Sequence, residues 1–206
     1  MLKRIALIML LGAGAAPAQT VNCIVAVVNG EVITLLDVLV TAEFGLAAAD
    51  AEADPRQAAL EALIDRKIVL DLAREARSAD RAEVAAALAE LRRSMGEEVF
   101  AAKLAGLGLA AKSLEPYLEE RILYERALAM RFSQSVPVSL TEIERHYRDI
   151  YVPEQKRLGR AVEPLERAGE AIEAQLRAGR RAQQMNAWVR DLRMRADIQI
   201  KKDRLK

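Results

Sequence analysis

The chain has 206 residues, 52% of them hydrophobic, and its 31 Lys and Arg against 30 Asp and Glu give a formal net charge of +1. So even a balance argues against a general nucleic-acid binder, and the single cysteine, Cys23, excludes an intramolecular disulfide. One histidine, His146, excludes a two-His metal site within one chain.

The chain opens with Lys3 and Arg4, an apolar run from Ile5 to Ala16, and the small-residue stretch Ala16-Pro17-Ala18. This order predicts a secretory signal peptide over residues 1–18, cut before Gln19. The apolar run falls well short of the ~20 residues a spanning helix needs, so a retained anchor is the weaker alternative. The remainder is expected to be soluble and outside the cytoplasm, without stable membrane insertion, and is long enough for one good core or two small ones. Thr20-Val21-Asn22 ahead of Cys23 lacks a lipoprotein pattern. Cys23 therefore reads as a small apolar residue in the first strand, or as a free thiol.

Val25-Ala-Val-Val-Asn-Gly-Glu-Val-Ile-Thr34 predicts two short strands joined at Asn29-Gly30, the pair that a type I′ turn demands. Thr34 and Asp37 form a capping box for a helix ending near Gly45, followed by an acidic linker over residues 47–55. Apolar spacing predicts a helix from Gln57 to about Ala76, another over 81–95, and a short one over 97–107 stopped by Gly106 and Gly108. Ser113 is expected to cap the next helix, with Pro116 in its first turn and an end near Phe132. Ser139 and Glu142 form a second capping box, and that helix should end before Pro153. After an irregular stretch, a long helix runs from Pro164 to about Ala196 with Leu165, Ile172, Leu176, Val189 and Leu192 inward; Gly169 and Gly179 weaken it by roughly 1 kcal/mol each. Asp197-Ile-Gln-Ile200 then alternates as a strand would. Two strands alone are marginal in water, so this segment is the expected third. The fold class is mainly α, with a small sheet formed by the N-terminal hairpin and a C-terminal strand.

Charge is unevenly spread. Acidic residues dominate 31–65 and basic ones 177–206, which would help the two ends dock or leave two separate solvated faces. The sequence carries no metal cluster, phosphate loop or nucleophile motif, so no catalytic residue, metal or cofactor is assigned. Tyr117, Tyr124, Met130, Met185 and Trp188 suit either a core or contacts to a bound chain.

The order of these elements resembles the N-terminal chaperone domain of SurA-type periplasmic folding factors of the parvulin family. The residues that carry the likeness are the Ala-Val-Val-Asn-Gly-Glu-Val-Ile-Thr hairpin, the Leu-Ile-Asp-Arg-Lys helix, the helix pair around Gly96, Phe100 and Gly108, and Val-Ser-x-x-Glu-Ile-x-x-His-Tyr. It covers about Val21 to Tyr147 and resumes at Met185-Asn-Ala-Trp-Val-Arg-Asp-Leu to Ile200. The resemblance implies a helical chaperone domain over 19–150, completed by 164–206. It also implies unfolded exported or outer-membrane polypeptides as partners, with Tyr117, Tyr124, Met130 and Trp188 as candidate client contacts. In that family a parvulin prolyl-isomerase domain stands where this chain has only the short linker 151–163. A domain below about 40 residues rarely folds unaided, so an ATP-independent holdase without isomerase activity is expected. An isomerase relative with residual activity, or an envelope scaffold or adaptor, are the alternatives.

Overall fold

The computed structural model describes residues 22–47, 54–73, 78–134 and 136–205. The expected signal peptide, most of the 47–55 linker and the far end of the 57–76 helix lie outside them. The chain is mainly helical, with a three-stranded antiparallel sheet built from both ends. Among the described residues no helix is long and apolar enough to cross a membrane.

Strands β1 (Ile24–Val28) and β2 (Glu31–Thr34) form the hairpin, and β3 (Ile198–Ile200) pairs with β1, so the order is β2-β1-β3. Asn29 and Gly30 both take positive φ, 49° and 86°, as the tight turn requires. Asn29 does more than turn the chain. Its backbone N–H donates to the Asp197 carbonyl at 2.9 Å, its side-chain Oδ1 accepts from the Asp197 N–H at 3.0 Å, and its Nδ2 donates to Asp71. The turn thus brackets the residue that leads into β3 and sets the register Ala26↔Ile200 and Val28↔Ile198.

Helix α1 (Leu35–Glu43) starts from the Thr34–Asp37 capping box, both halves of which are made. Helix α2 (Pro55–Leu72) lays Leu60, Leu63, Ile64 and Ile68 against Val25, Ala26, Val28, Ile33 and Val38, forming the first core. Cys23 packs at its edge, partly buried. Helices α3 (Arg81–Met95), α4 (Glu97–Leu107) and α5 (Glu115–Arg131) enclose a second core around Phe44, Val84, Phe100, Leu104, Leu114 and Leu118. Phe44 and Phe100 meet edge to face at 5.7 Å, a geometry that adds to their burial.

Ser113 does not cap α5. Residues Ala111–Leu114 form a 3₁₀ turn that runs straight into the helix, so the backbone is already helical at Leu114 and no side-chain cap is used. Nor does the chain break before Pro153. Helix α6 (Leu140–His146), begun by the Ser139–Glu142 capping box, passes through a π turn over Tyr147–Tyr151 into α7 (Val152–Arg157). The Val152 N–H reaches back five residues to the Tyr147 carbonyl. That widened turn adds a residue ahead of Pro153 and relieves the clash its ring would make with the preceding turn. The expected linker 151–163 is therefore helical through Arg157.

Helix α8 (Leu165–Arg193) continues through both of its glycines and serves two cores. Ala168 and Ile172 pack with Ile143 of α6 in a third core, whereas Leu192 joins the first. Val189, also buried, lies roughly 100° around the helix from Ile172 at 3.6 residues per turn. The two ends do meet through charge: Arg193 pairs with Glu61 and, at 3.1 Å, with Asp65 of α2.

Replacing Asn29 by Gly keeps the backbone freedom of the turn but removes the side-chain bracket on Asp197. Chemical denaturation should show a loss of about 1–2 kcal/mol without a change in helix content. Arg193→Ala should cost about 1–2 kcal/mol at neutral pH. Burial, partly offset by Arg193, already holds the Asp65 pKa above its ordinary value. A carboxylate raised in the folded state favours folding below its unfolded pKa and loses that contribution as pH rises through the folded one. Removing Arg193 raises Asp65 further, so the deficit of the variant should be largest near pH 7 and shrink once Asp65 is protonated. Unfolding midpoints from pH 4 to 7 check this.

Candidate functional site

Helices α3 and α4 are joined by one residue, Gly96, which ends the first and starts the second at φ 84°. A side chain other than glycine is strained there, so this residue sets the sharp angle between the two helices. Asp80 caps α3 through the Ala82 N–H, and Gly108 ends α4 in the left-handed region. Ion pairs fasten the two helices to the body: Arg126 of α5 to Glu83 of α3 at 2.6 Å, and Lys103 of α4 to Glu43 of α1 at 2.6 Å.

Between α3, α4 and the start of α5 lies an open groove of about 480 Å³. Its floor and walls are Ala85, Leu88, Ala89, Phe100 and Ala111, and its rim carries Arg92, Arg93, Glu97 and Glu115. Arg92 and Glu97 pair with each other across the Gly96 junction, which leaves the apolar interior without an uncompensated charge from that pair. Small side chains on α3 make the depth: Ala85 and Ala89 are one turn apart and exposed. The groove can accept an apolar side chain while the rim stays wet.

A second, smaller cavity of about 260 Å³ is polar, lined by Asp37, Lys67, Ser113, Tyr117 and Glu120 among others. Here Tyr117 Oη donates to Asp37 Oδ1 at 2.9 Å, and Lys67 Nζ donates to Glu120 at 2.7 Å with Glu31 at 3.4 Å. Burial alone would lower the Lys67 pKa, but the bond to Glu120 and the charges of Glu120 and Glu31 leave it raised. Burial and then the Asp37 charge push the Tyr117 phenol upward. Every charge in this cavity has a partner, and the network joins β2, α1, α2 and α5.

The four residues expected as client contacts are dispersed. Tyr117 lines the polar cavity and is held by Asp37. Tyr124 is partly buried on α5, its phenol raised by burial and then by the Asp65 charge. Met130 is 73% exposed near the end of the same helix. Trp188 of α8 stacks edge to face on Phe132 at 5.7 Å, with the Arg131 guanidinium 5.8 Å from both rings. None of the four lines the apolar groove. Sequence reasoning named Gly96 and Phe100, and Leu88 by its apolar spacing on the 81–95 helix, but passed over Ala85 and Ala89; their spacing on one helix face was the available signal.

No protein-family model matches the chain, and no curated protein matches it.

Tyr117→Phe should lower stability by about 1–2 kcal/mol at pH 7 through loss of the bond to Asp37. A phenol raised in the folded state supports folding below its unfolded pKa, near 10, and withdraws that support as pH rises toward the folded value. The loss of stability of the unmodified protein above about pH 10 should accordingly be shallower in Tyr117→Phe, as denaturant titrations across pH 8–11 would show.

Proposed function

We propose that this chain is an ATP-independent holdase of the periplasm, a SurA-type relative that binds unfolded exported or outer-membrane polypeptides and does not isomerise prolines. The observation that carries this reading is the open apolar groove between α3 and α4, framed by paired charges and fixed in shape by the Gly96 junction. Burying a client's apolar side chain there removes it from water, at roughly 25 cal/mol per Å². Grooves of this size give weak, reversible binding, which suits a protein that must release clients without nucleotide hydrolysis. Further apolar side chains lie open to solvent at Val99 and Met130, offering additional contacts to a long client.

The non-catalytic part of the reading draws support from the interval between α6 and α8. It is taken up by the π turn, α7 and a short connection, and α6 packs directly on α8, so the helices that would flank an inserted domain are already in contact. Export rests on the N-terminal pattern of Lys3, Arg4 and the apolar run to Ala16.

The test is suppression of aggregation of several unrelated unfolded proteins by the purified mature chain. Ala85→Glu with Ala89→Glu places two charges in the groove on exposed helix positions, where Glu is a good helix former. This variant should bind clients about tenfold more weakly, a loss of ~1.4 kcal/mol, with unchanged circular dichroism and melting. Full chaperone activity in the variant would rule out the groove. Acceleration of prolyl isomerisation by the pure protein would rule out the non-catalytic reading.

A further inference from the structure

The three-stranded sheet has two outer edges, and they are not equally open. In the β1–β3 ladder the Lys201 N–H donates to the Val25 carbonyl at 2.8 Å and the Asn29 N–H to the Asp197 carbonyl at 2.9 Å. Val27 stands opposite Gln199 between them. Antiparallel pairing alternates, so Asp197, Gln199 and Lys201 direct their backbone groups at β1 while Ile198 and Ile200 direct theirs outward. Among the described residues nothing bonds to those outward N–H and C=O groups. The β2 edge is blunted by comparison, because the Thr34 N–H already donates to the Asp37 carboxylate at 2.7 Å.

The side chains of β3 sort by the same alternation. Ile198 and Ile200 pack on the first core from its margin. Asp197, Gln199 and Lys201 are exposed on the other face, where the Gln199 amide donates to the Asp197 carboxylate at 3.4 Å. About Gln199, the segment Asp197-Ile-Gln-Ile-Lys201 is symmetric in its apolar residues and opposite in charge at its two ends.

We propose that this chain forms a two-fold dimer by antiparallel pairing of β3 with β3 of a second copy, continuing the sheet to six strands. With Gln199 on the axis, Ile198 faces the partner's Ile200 and the two exchange N–H···O=C bonds, as do Ile200 and the partner's Ile198. Every outward backbone group of β3 is then satisfied. Asp197 stands directly across from the partner's Lys201, and Lys201 across from the partner's Asp197, in the closely spaced type of pair. Charge complementarity selects a second copy over an arbitrary extended chain. Only a strand with the reverse order of charge meets both ends, and β3 presents that order to itself. A slip of two residues loses both charge pairs. The contact is isologous and uses up the open edge, so it closes at two copies. It makes no use of the α3–α4 groove, and it holds whether or not that groove binds clients.

Sedimentation equilibrium of the purified mature protein should show reversible exchange between monomer and dimer. Asp197→Lys and Lys201→Asp each set like charges across both pairs, and each should weaken the dimer roughly tenfold at low salt. An equimolar mixture of the two variants has opposite charges at both pairs again, and should recover the dimer as a heterodimer. Both positions are exposed, and circular dichroism with a melting curve confirms that each variant is folded. Amide hydrogen exchange locates the contact. The Ile198 and Ile200 N–H groups should gain protection as concentration rises, whereas those of Gln199 and Lys201 are protected in the monomer as well. A chain that stays monomeric at about 0.5 mM, a dimer indifferent to both charge reversals, or a mixture that fails to recover it would each overturn the proposal. Protection of Ile198 and Ile200 only on adding an unfolded client, with the chain still monomeric, would overturn it in favour of strand addition by clients.

Discussion

The fold depends on β1 being a middle strand. It is supplied on one side by its hairpin partner and on the other by a three-residue strand from the far end of the chain. So short a strand has little intrinsic stability. It is held because Asn29, already obliged to sit in the turn by its tolerance of positive φ, turns its amide onto the backbone of Asp197. One residue therefore satisfies a local conformational demand and a long-range pairing at once. Ile198 and Ile200 then pack on the first core from the edge.

Helix α2 distributes that core's position to the rest of the molecule. Its apolar face is buried in the first core, and the consecutive Asp65, Arg66 and Lys67 point to different neighbours. Asp65 meets Arg193 of α8, Arg66 donates to the Leu46 carbonyl after α1, and Lys67 reaches Glu120 of α5 and Glu31 of β2. Arg66 is 3% exposed and its Nε and Nη1 have no hydrogen-bond partner among the described residues. Burial depresses its pKa, although Arg remains charged at any ordinary pH. Such a residue costs stability and fixes the path of the chain after α1 in return.

Much of this organisation was legible in the sequence because certain residue pairs have few other uses. Asn29-Gly30, Thr34 with Asp37, and Ser139 with Glu142 each formed the turn or capping box their chemistry prescribes. Pro153 misled because a π turn leaves no compositional mark: the residues of Tyr147–Tyr151 would suit an α-helix equally. Ser113 misled because a 3₁₀ turn can enter a helix without a side-chain cap. The apolar periodicity of α8 found Ile172 and Val189, which are buried, and Leu165, Leu176 and Leu192, which are partly so, but missed buried Ala168 and did not show that these positions face different partners. At the candidate site the limit was similar. Aromatic and Met residues announce apolar surface, yet Tyr117 is held by Asp37 while Met130 is open. The groove is made by alanines, whose small size matters only once Leu88 and Phe100 are placed beside them.

The stretch of α8 between Leu176 and Met185 has no buried residue; Arg180 within it meets Glu142 and the Pro137 carbonyl, and otherwise a solvated rod separates the third core from the first. Rods of this kind act as rulers. Ile172 and Val189 are seventeen residues apart, about 25 Å at 1.5 Å per residue. Adding one residue between them would advance the hairpin by only ~1.5 Å but swing it by ~100°, turning the core of Ile143, Ala168 and Ile172 out of line with the first core. Adding seven would restore the facing to within ~20° and extend the reach by about 10 Å. Length variation in this arm is therefore quantised: it can grow or shrink by near-whole numbers of turns, while single insertions there are as disruptive as a substitution in the core.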